Sequence, residues 1–302
     1  MELQRELVWT LDRLFSIPEL KSHLTFKGGT SLSKVYRIIE RFSEDIDLSI
    51  EKDFLGFDKE KAPERATSKK KQRAAIEALG NACSTYVTSK LLASLRDSIA
   101  KELGTTSGWK LAPDEGDPDN QTLLFSYPAI VKQSGYIQQF VKIEMGARSE
   151  HWPVSEHRVQ SYIKEALQDK VTEPEVRVRV LNAERTFWEK ATILHQYAHI
   201  PEEKSLPSRI SRHFYDFSCL LNSEIKKKAL SDIALLERVA THKSIYFASG
   251  WANYGTARKG TLRLSPLPRL QDALKKDLDL MNALSPTRRR QEHGNQNMGN
   301  GW

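Results

Sequence analysis

The sequence predicts a mixed α+β fold with a helical C-terminal part. Three observations carry that prediction. Short runs of alternating apolar and polar residues recur up to about residue 180, helical spacing is interleaved with them, and past residue 182 only the helical spacing remains. The chain has 302 residues, 39% of them hydrophobic, enough to bury a core in one large domain or two modest ones. The boundaries expected are 1–180 for the mixed core, 181–284 for a helical domain that completes the active site, and 285–302 for a disordered tail. The tail reads SPTRRRQEHGNQNMGNGW and has no periodicity.

The elements follow in order. Residues 1–15 place Leu3, Leu7, Leu11 and Leu14 on one helical stripe. Residues 24–26 read as a short strand running into Gly28 and Gly29. Residues 30–42 space Leu32, Val35, Tyr36 and Ile39 as a helix. Residues 45–50 alternate, with Ile46, Leu48 and Ile50 on one face and Asp45, Asp47 and Ser49 on the other. A charged loop leads into a helix over roughly 67–103, and 104–120 is a turn-rich connection. Strands are expected near 121–127 and 138–147, as a hairpin, and again at 176–180.

Composition narrows the function classes. No run reaches the length of a membrane span, and the N-terminus lacks a signal-peptide apolar core, so the expected compartment is the cytoplasm. Cys83 and Cys219 belong to no metal-like cluster and are expected reduced and buried. The net charge of +7 suits a polyanionic partner such as nucleic acid, an acidic protein or a nucleotide. Nothing resembles a coiled-coil seam, and a monomer is the default.

The stretch FKGGTSLSKVYRIIERFSEDIDLSI concentrates the chemistry. Residues i and i+2 of a strand share a face, so Asp45 and Asp47 present two carboxylates side by side. Such a pair can hold Mg²⁺, which is usually bound by a few carboxylates plus substrate phosphates. Gly28 and Gly29 permit close backbone approach, and the helix start after them offers free N–H groups to a phosphate. Thr30 and Ser31 add hydroxyls. A D-x-D and a Gly-Gly turn are each common structural features; their occurrence together, in the order strand, helix, strand, points to a site.

That order resembles the nucleotidyltransferase superfamily that includes DNA polymerase beta. The superfamily also uses a third carboxylate on a neighbouring strand. FVKIEMGARSE alternates Val141, Ile143 and Met145 against Lys142 and Glu144, making Glu144 the candidate third acid and metal ligand; a solvated strand glutamate is the other reading.

Two helical segments add cations. In ERTFWEKATILHQYAH, Phe187, Ala191 and Leu194 form a core stripe with Lys190 at its edge, either snorkelling or reaching a triphosphate. His195 and His199 have the i, i+4 spacing of a zinc helix, but Gln196 stands where the glutamate belongs. In RISRHFYDFSCLL, Ile210, Phe214, Phe217 and Leu221 make a core face, while Arg209, Arg212, His213 and Asp216 share the opposite stripe. That stripe suits phosphate binding, and a salt-bridged surface face looks similar.

Together FKGGTSLSKVY, RFSEDIDLSI, VKIEMGARSE, ERTFWEKATILH and RISRHFYDF resemble the AbiEii/AbiGii toxin family of nucleotidyltransferases, relatives of the MenT toxins of mycobacteria, from about residue 20 to about 281. The resemblance implies a type IV-like toxin, with abortive infection against phage as its setting and an AbiEi-like antitoxin as its partner. It implies transfer of a nucleotide from an NTP to the 3′ end of tRNA. By position it makes Asp45 and Asp47 the metal-binding aspartates, Gly29 and Thr30 the first motif, Lys190 the triphosphate lysine and Asp216 the later aspartate. The expected mechanism has Mg²⁺ on Asp45 and Asp47, Glu144 or Asp45 taking the acceptor proton, and Lys190 and Arg212 neutralising charge. This chain has Gly-Gly-Thr where many superfamily members have Gly-Ser. The competing readings are nucleotidylation of a protein or small-molecule hydroxyl, and a non-catalytic RNA-binding module.

Overall fold

A computed structural model describes residues 2–41, 45–127, 140–160 and 175–283. The chain divides into two compact units. The first comprises Met1–Val35 and Glu44–Asn182, the second Tyr36–Ser43 and Ala183–Trp302. The expected tail lies outside the described residues.

The first unit is built on a mixed seven-stranded sheet. Its strands are β1 (Leu24–Lys27), β2 (Asp45–Ile50), β3 (Lys110–Pro113), β4 (Thr122–Ser126), β5 (Phe140–Gly146), β6 (Val154–Val159) and β7 (Val176–Leu181), in the spatial order β3-β4-β5-β2-β1-β7-β6. β1 pairs antiparallel with β2, and β5 and β7 lie parallel outside them. β4 runs antiparallel to β5, as the hairpin reading requires.

Alternation decides what each face does. Ile46, Leu48, Val141, Ile143, Leu123, Phe125, Val178 and Val180 are all buried. Alternating with them on β2 and β5, Asp45, Asp47, Lys142 and Glu144 are half-buried. Helix α1 (Glu2–Phe15) buries Leu7, Leu11 and Leu14, and its Trp9 stacks on Phe125 with centroids 5.6 Å apart.

Helices α3 (Lys69–Tyr86) and α4 (Leu92–Leu103) form one rod joined by a wider turn at Val87–Leu91. The buried residues Leu79, Cys83, Val87, Leu91, Leu95 and Ile99 recur every fourth position. That repeat is longer than the ~3.6 residues of an α-helical turn, so a regular helix would swing the stripe off its face. The wider turn compensates for part of that drift. Ser68 caps the rod by accepting from the Lys71 N–H at 3.2 Å, and Gly104 ends it in the left-handed region.

The second unit is helical: α5 (Ala183–Tyr197), α6 (Ser211–Leu221), α7 (Ile225–Ser231), α8 (Ile233–Tyr246) and α9 (Gln271–Ala283). α5 is its spine, packed by α6, α7 and α8, with Phe187 against Phe217 at 4.9 Å. The start of α6 is capped from α9. Both oxygens of Asp277 accept backbone N–H bonds, from Arg209 and Ser211, each 2.8 Å.

The structure departs from the sequence reading in three places. The helix after the glycines, α2, spans only Gly28–Lys34, because Arg37 takes φ +53° and Tyr36–Ser43 joins the second unit. β3 and β6 were not expected. Both lie at sheet edges, where one strand of four residues carries a single deeply buried side chain, Leu111, and the other reads VSEHRV.

Phe26 has no exposed surface and sits on β1 between β2 and β7. Phe26→Ala is expected to cost about 3–5 kcal/mol in denaturant unfolding. A loss under ~1 kcal/mol would mean the core beneath β1 collapses to fill the gap.

Candidate active site

β1 runs directly into the glycine turn. Gly28 has φ +77°, which glycine adopts without steric cost. Its missing side chain matters as much: a Cβ there would lie 2.6 Å from Cγ and 2.9 Å from Cβ of Asp47. The Asp47 side chain therefore packs on the Gly28 backbone, and only glycine allows both the turn and the contact. Thr30 and Ser31 are fully buried. The Thr30 hydroxyl donates to the Asp45 carbonyl oxygen, and the Ser31 hydroxyl to the Gly28 carbonyl oxygen at 2.9 Å. The sequence reading assigned both hydroxyls to a nucleotide. The structure engages them with backbone, where they tie α2 to the first residue of β2 and close the turn; Gly29 is buried between them and Gly28.

Glu144 stands opposite Asp47 in the parallel β2–β5 register, and Lys142 stands opposite Asp45. All four side chains share the polar face. Lys142 Nζ lies 2.7 Å from Glu144 Oε1 and 3.9 Å from Asp114 Oδ2. Burial alone would lower the Lys142 pKa; Glu144, Asp45 and Asp114 outweigh it and raise it, so the ammonium is firmly charged. Among the described residues, no three His, Cys, Asp or Glu side chains gather closely enough to hold a metal ion by themselves. The half-buried pair Asp45 and Asp47 fits an ion that keeps waters and takes further oxygens from phosphates. Glu144 would first have to exchange its lysine.

The same face continues into a polar network that the sequence did not reveal. His151 contacts the Thr25 hydroxyl at 2.7 Å through Nδ1 and the Ser49 hydroxyl at 3.1 Å through Nε2. Thr25 and Ser49 are register partners, two pairs along from Lys27 and Asp47 and so on the same face. Desolvation pushes the His151 pKa down to about 4, so the ring is neutral at physiological pH. Arg179 donates to the Leu24 carbonyl oxygen at 2.9 Å and to Glu51 at 2.8 Å.

In the second unit the predicted Lys190, His213 and Asp216 meet, joined by Arg41. Asp216 has no exposed surface. Its Oδ1 accepts from Arg41 Nε at 2.7 Å. Its Oδ2 accepts from Arg41 Nη2 at 2.9 Å and Lys190 Nζ at 2.8 Å. Burial would raise the Asp216 pKa, but the charges and hydrogen bonds of Lys190 and Arg41 hold it at about 2. Burial pulls the Lys190 pKa down, and the ionised Asp216 carboxylate 2.8 Å away works against that shift by favouring the ammonium. Lys190 also lies 3.0 Å from His213 Nδ1. Desolvation, with Lys190 and Arg212 nearby, lowers the His213 pKa to about 2, so Nδ1 is the acceptor and His213 adds no charge.

The shared stripe on α6 is thus corrected. Asp216 is buried, not on a salt-bridged surface, and Lys190 is 7% exposed and does not snorkel. Arg209 precedes the helix at φ +63° and is exposed, so helical spacing does not align it with half-exposed Arg212. The histidine pair of α5 is structural. His195 Nδ1 accepts the Arg263 N–H at 2.9 Å, leaving Nε2–H to donate to the Asn253 carbonyl oxygen at 3.1 Å. Arg41 was missed because RFSEDIDLSI drew attention only to its aspartates.

The family model described as "Nucleotidyl transferase AbiEii toxin, Type IV TA system" matches residues 9–292. No curated protein matches the chain. Among solved structures, MenT4, a nucleotidyltransferase toxin of Mycobacterium tuberculosis H37Rv, is similar at a TM-score of 0.43 and 15% identity. The match covers 95% of this chain and 86% of that one, and a likeness so faint carries no argument about chemistry.

Asp216→Asn leaves two buried cations without their anion and is expected to cost about 3–5 kcal/mol in denaturant melts. The acid response follows from the lowered carboxyl pKa. The ionised Asp216 stabilises the fold fully above the unfolded value of about 3.9, and that contribution is lost as pH falls through about 2. Stability measured over this window should fall more steeply in the wild type than in Asp216→Asn.

Proposed function

The chain belongs to the AbiEii nucleotidyltransferase toxin family of type IV toxin–antitoxin systems, and from that premise we propose that it moves a nucleoside monophosphate from an NTP to the 3′ end of a tRNA. An antitoxin is its partner, and capping the acceptor end blocks translation. The reading places the protein in the cytoplasm as a monomer. No described helix is long and apolar enough to cross a membrane.

The observation that carries the proposal is the Asp45–Asp47 pair, with Asp47 packed on the backbone of Gly28. Asp45 and Asp47 would hold Mg²⁺, which when bound offsets phosphate charge and makes the α-phosphorus a better electrophile. The chain supplies the rest. The Gly28 turn keeps Asp47 from rotating away, and Thr30 fixes the backbone of Asp45. Asp45, or Glu144 once parted from Lys142, accepts the proton of the attacking hydroxyl. The new O–P bond forms in line as the bond to pyrophosphate breaks. The family resemblance gives Lys190, held between Asp216 and neutral His213, the role of countering triphosphate charge as an ammonium. Arg212, half-exposed on the same helix as Asp216, adds a second positive group.

The test is incubation with each α-³²P-labelled NTP, Mg²⁺ and total bacterial RNA and protein, resolved on a denaturing gel. Label at tRNA size, absent with Asp47→Asn at unchanged melting temperature, is the expected result. Label on a protein band would move the acceptor to a side-chain hydroxyl, and full labelling by Asp47→Asn would overturn the site. Gly28→Ala is expected to lower the rate about 10²-fold, as a displacement of Asp47 by about 1 Å would.

A further inference from the structure

We infer that Arg41 is a positioning residue of this enzyme, acting through Asp216 to aim the Lys190 ammonium. The inference rests on the role proposed for Lys190.

Arg41 is 8% exposed and lies in the short segment Tyr36–Ser43 that belongs to the second unit. Its guanidinium engages both oxygens of Asp216, through Nε at 2.7 Å and Nη2 at 2.9 Å. Two parallel bonds fix the plane of a carboxylate where one bond leaves it free to turn. Oδ2, set in that plane, is the oxygen that receives Lys190. The fork therefore decides where the lysine nitrogen sits.

Charge balance alone does not call for Arg41. Asp216 and Lys190 already cancel, and burying a third charge costs desolvation that a neutral pair does not need. Arg212 lies close enough to depress the Lys190 and His213 pKa values further. A lysine held in a fixed place with Arg212 nearby suits a polyphosphate. A lysine at position 41 would keep the charge and lose the fork, since an ammonium is a point charge on a flexible stem.

The experiment is calorimetric titration of the full-length chain with each NTP and Mg²⁺, for wild type, Arg41→Lys and Arg41→Ala, with thermal melts alongside. Arg41→Lys is expected to bind its NTP roughly tenfold more weakly, the loss of one charge-assisted hydrogen bond. Arg41→Ala is expected to regain affinity with millimolar methylguanidinium and not with methylammonium. A merely structural arginine would shift the melt without that selectivity. Wild-type affinity in Arg41→Lys overturns the inference, as does an Arg41→Ala protein that is unfolded or unresponsive to methylguanidinium. A wild type that binds no NTP removes the nucleotide reading itself, and the inference with it.

Discussion

Each strand of the sheet must place successive side chains on opposite faces, and the first unit is organised by that restriction. On β2 and β5 it buries Ile46, Leu48, Val141 and Ile143 and leaves Asp45, Asp47, Lys142 and Glu144 together on the other side. Hydrophobic burial thus positions the acids without any bond of their own being required. The restriction also explains why Gly28 approaches Asp47: Lys27 is the register partner of Asp47, so the turn that follows β1 passes beside that carboxylate. His151, bridging Thr25 and Ser49, stiffens the next row of the same face.

The second unit places its charges by a different rule. Asp216 has no contact with water, so it is ionised only because Arg41 and Lys190 supply what solvent cannot. The arrangement is all-or-none in character, because no member can leave without stranding another. The acids of β2 are half-open and can exchange partners, whereas Asp216 cannot. The two groups are accordingly suited to different tasks, one to bind and release ions and the other to hold a lysine still.

Much of this was legible in the residues. The alternation at 45–50 and 140–146, the stripe of α1 and the core face of α5 are strong periodic signals, and their burial follows them. Asp45, Asp47, Glu144, Lys190 and Asp216 were selected by spacing and by resemblance. What spacing could not give was the partner of each. Glu144 looks the same in sequence whether it faces water or Lys142, and Asp216 looks the same whether it pairs with Arg212 one turn earlier or with Arg41, which is 175 residues away. The short α2 was missed for a related reason: apolar residues at helical spacing continued past Lys34, but Arg37 in the left-handed region broke the helix. β3 and β6 were missed because edge strands need not alternate clearly.

The path of the chain between its units has a consequence for modularity. The polypeptide leaves the first unit after Val35, returns at Glu44, and leaves again after Asn182. A single cut at 182 would therefore not yield two whole units: the N-terminal piece would keep Arg41, and the C-terminal piece would keep Asp216 with an uncovered place for it. Gene fusion or exchange at one boundary cannot move either unit intact. Moving the helical unit whole requires the segment Tyr36–Ser43 to travel with the residues from Ala183 onward.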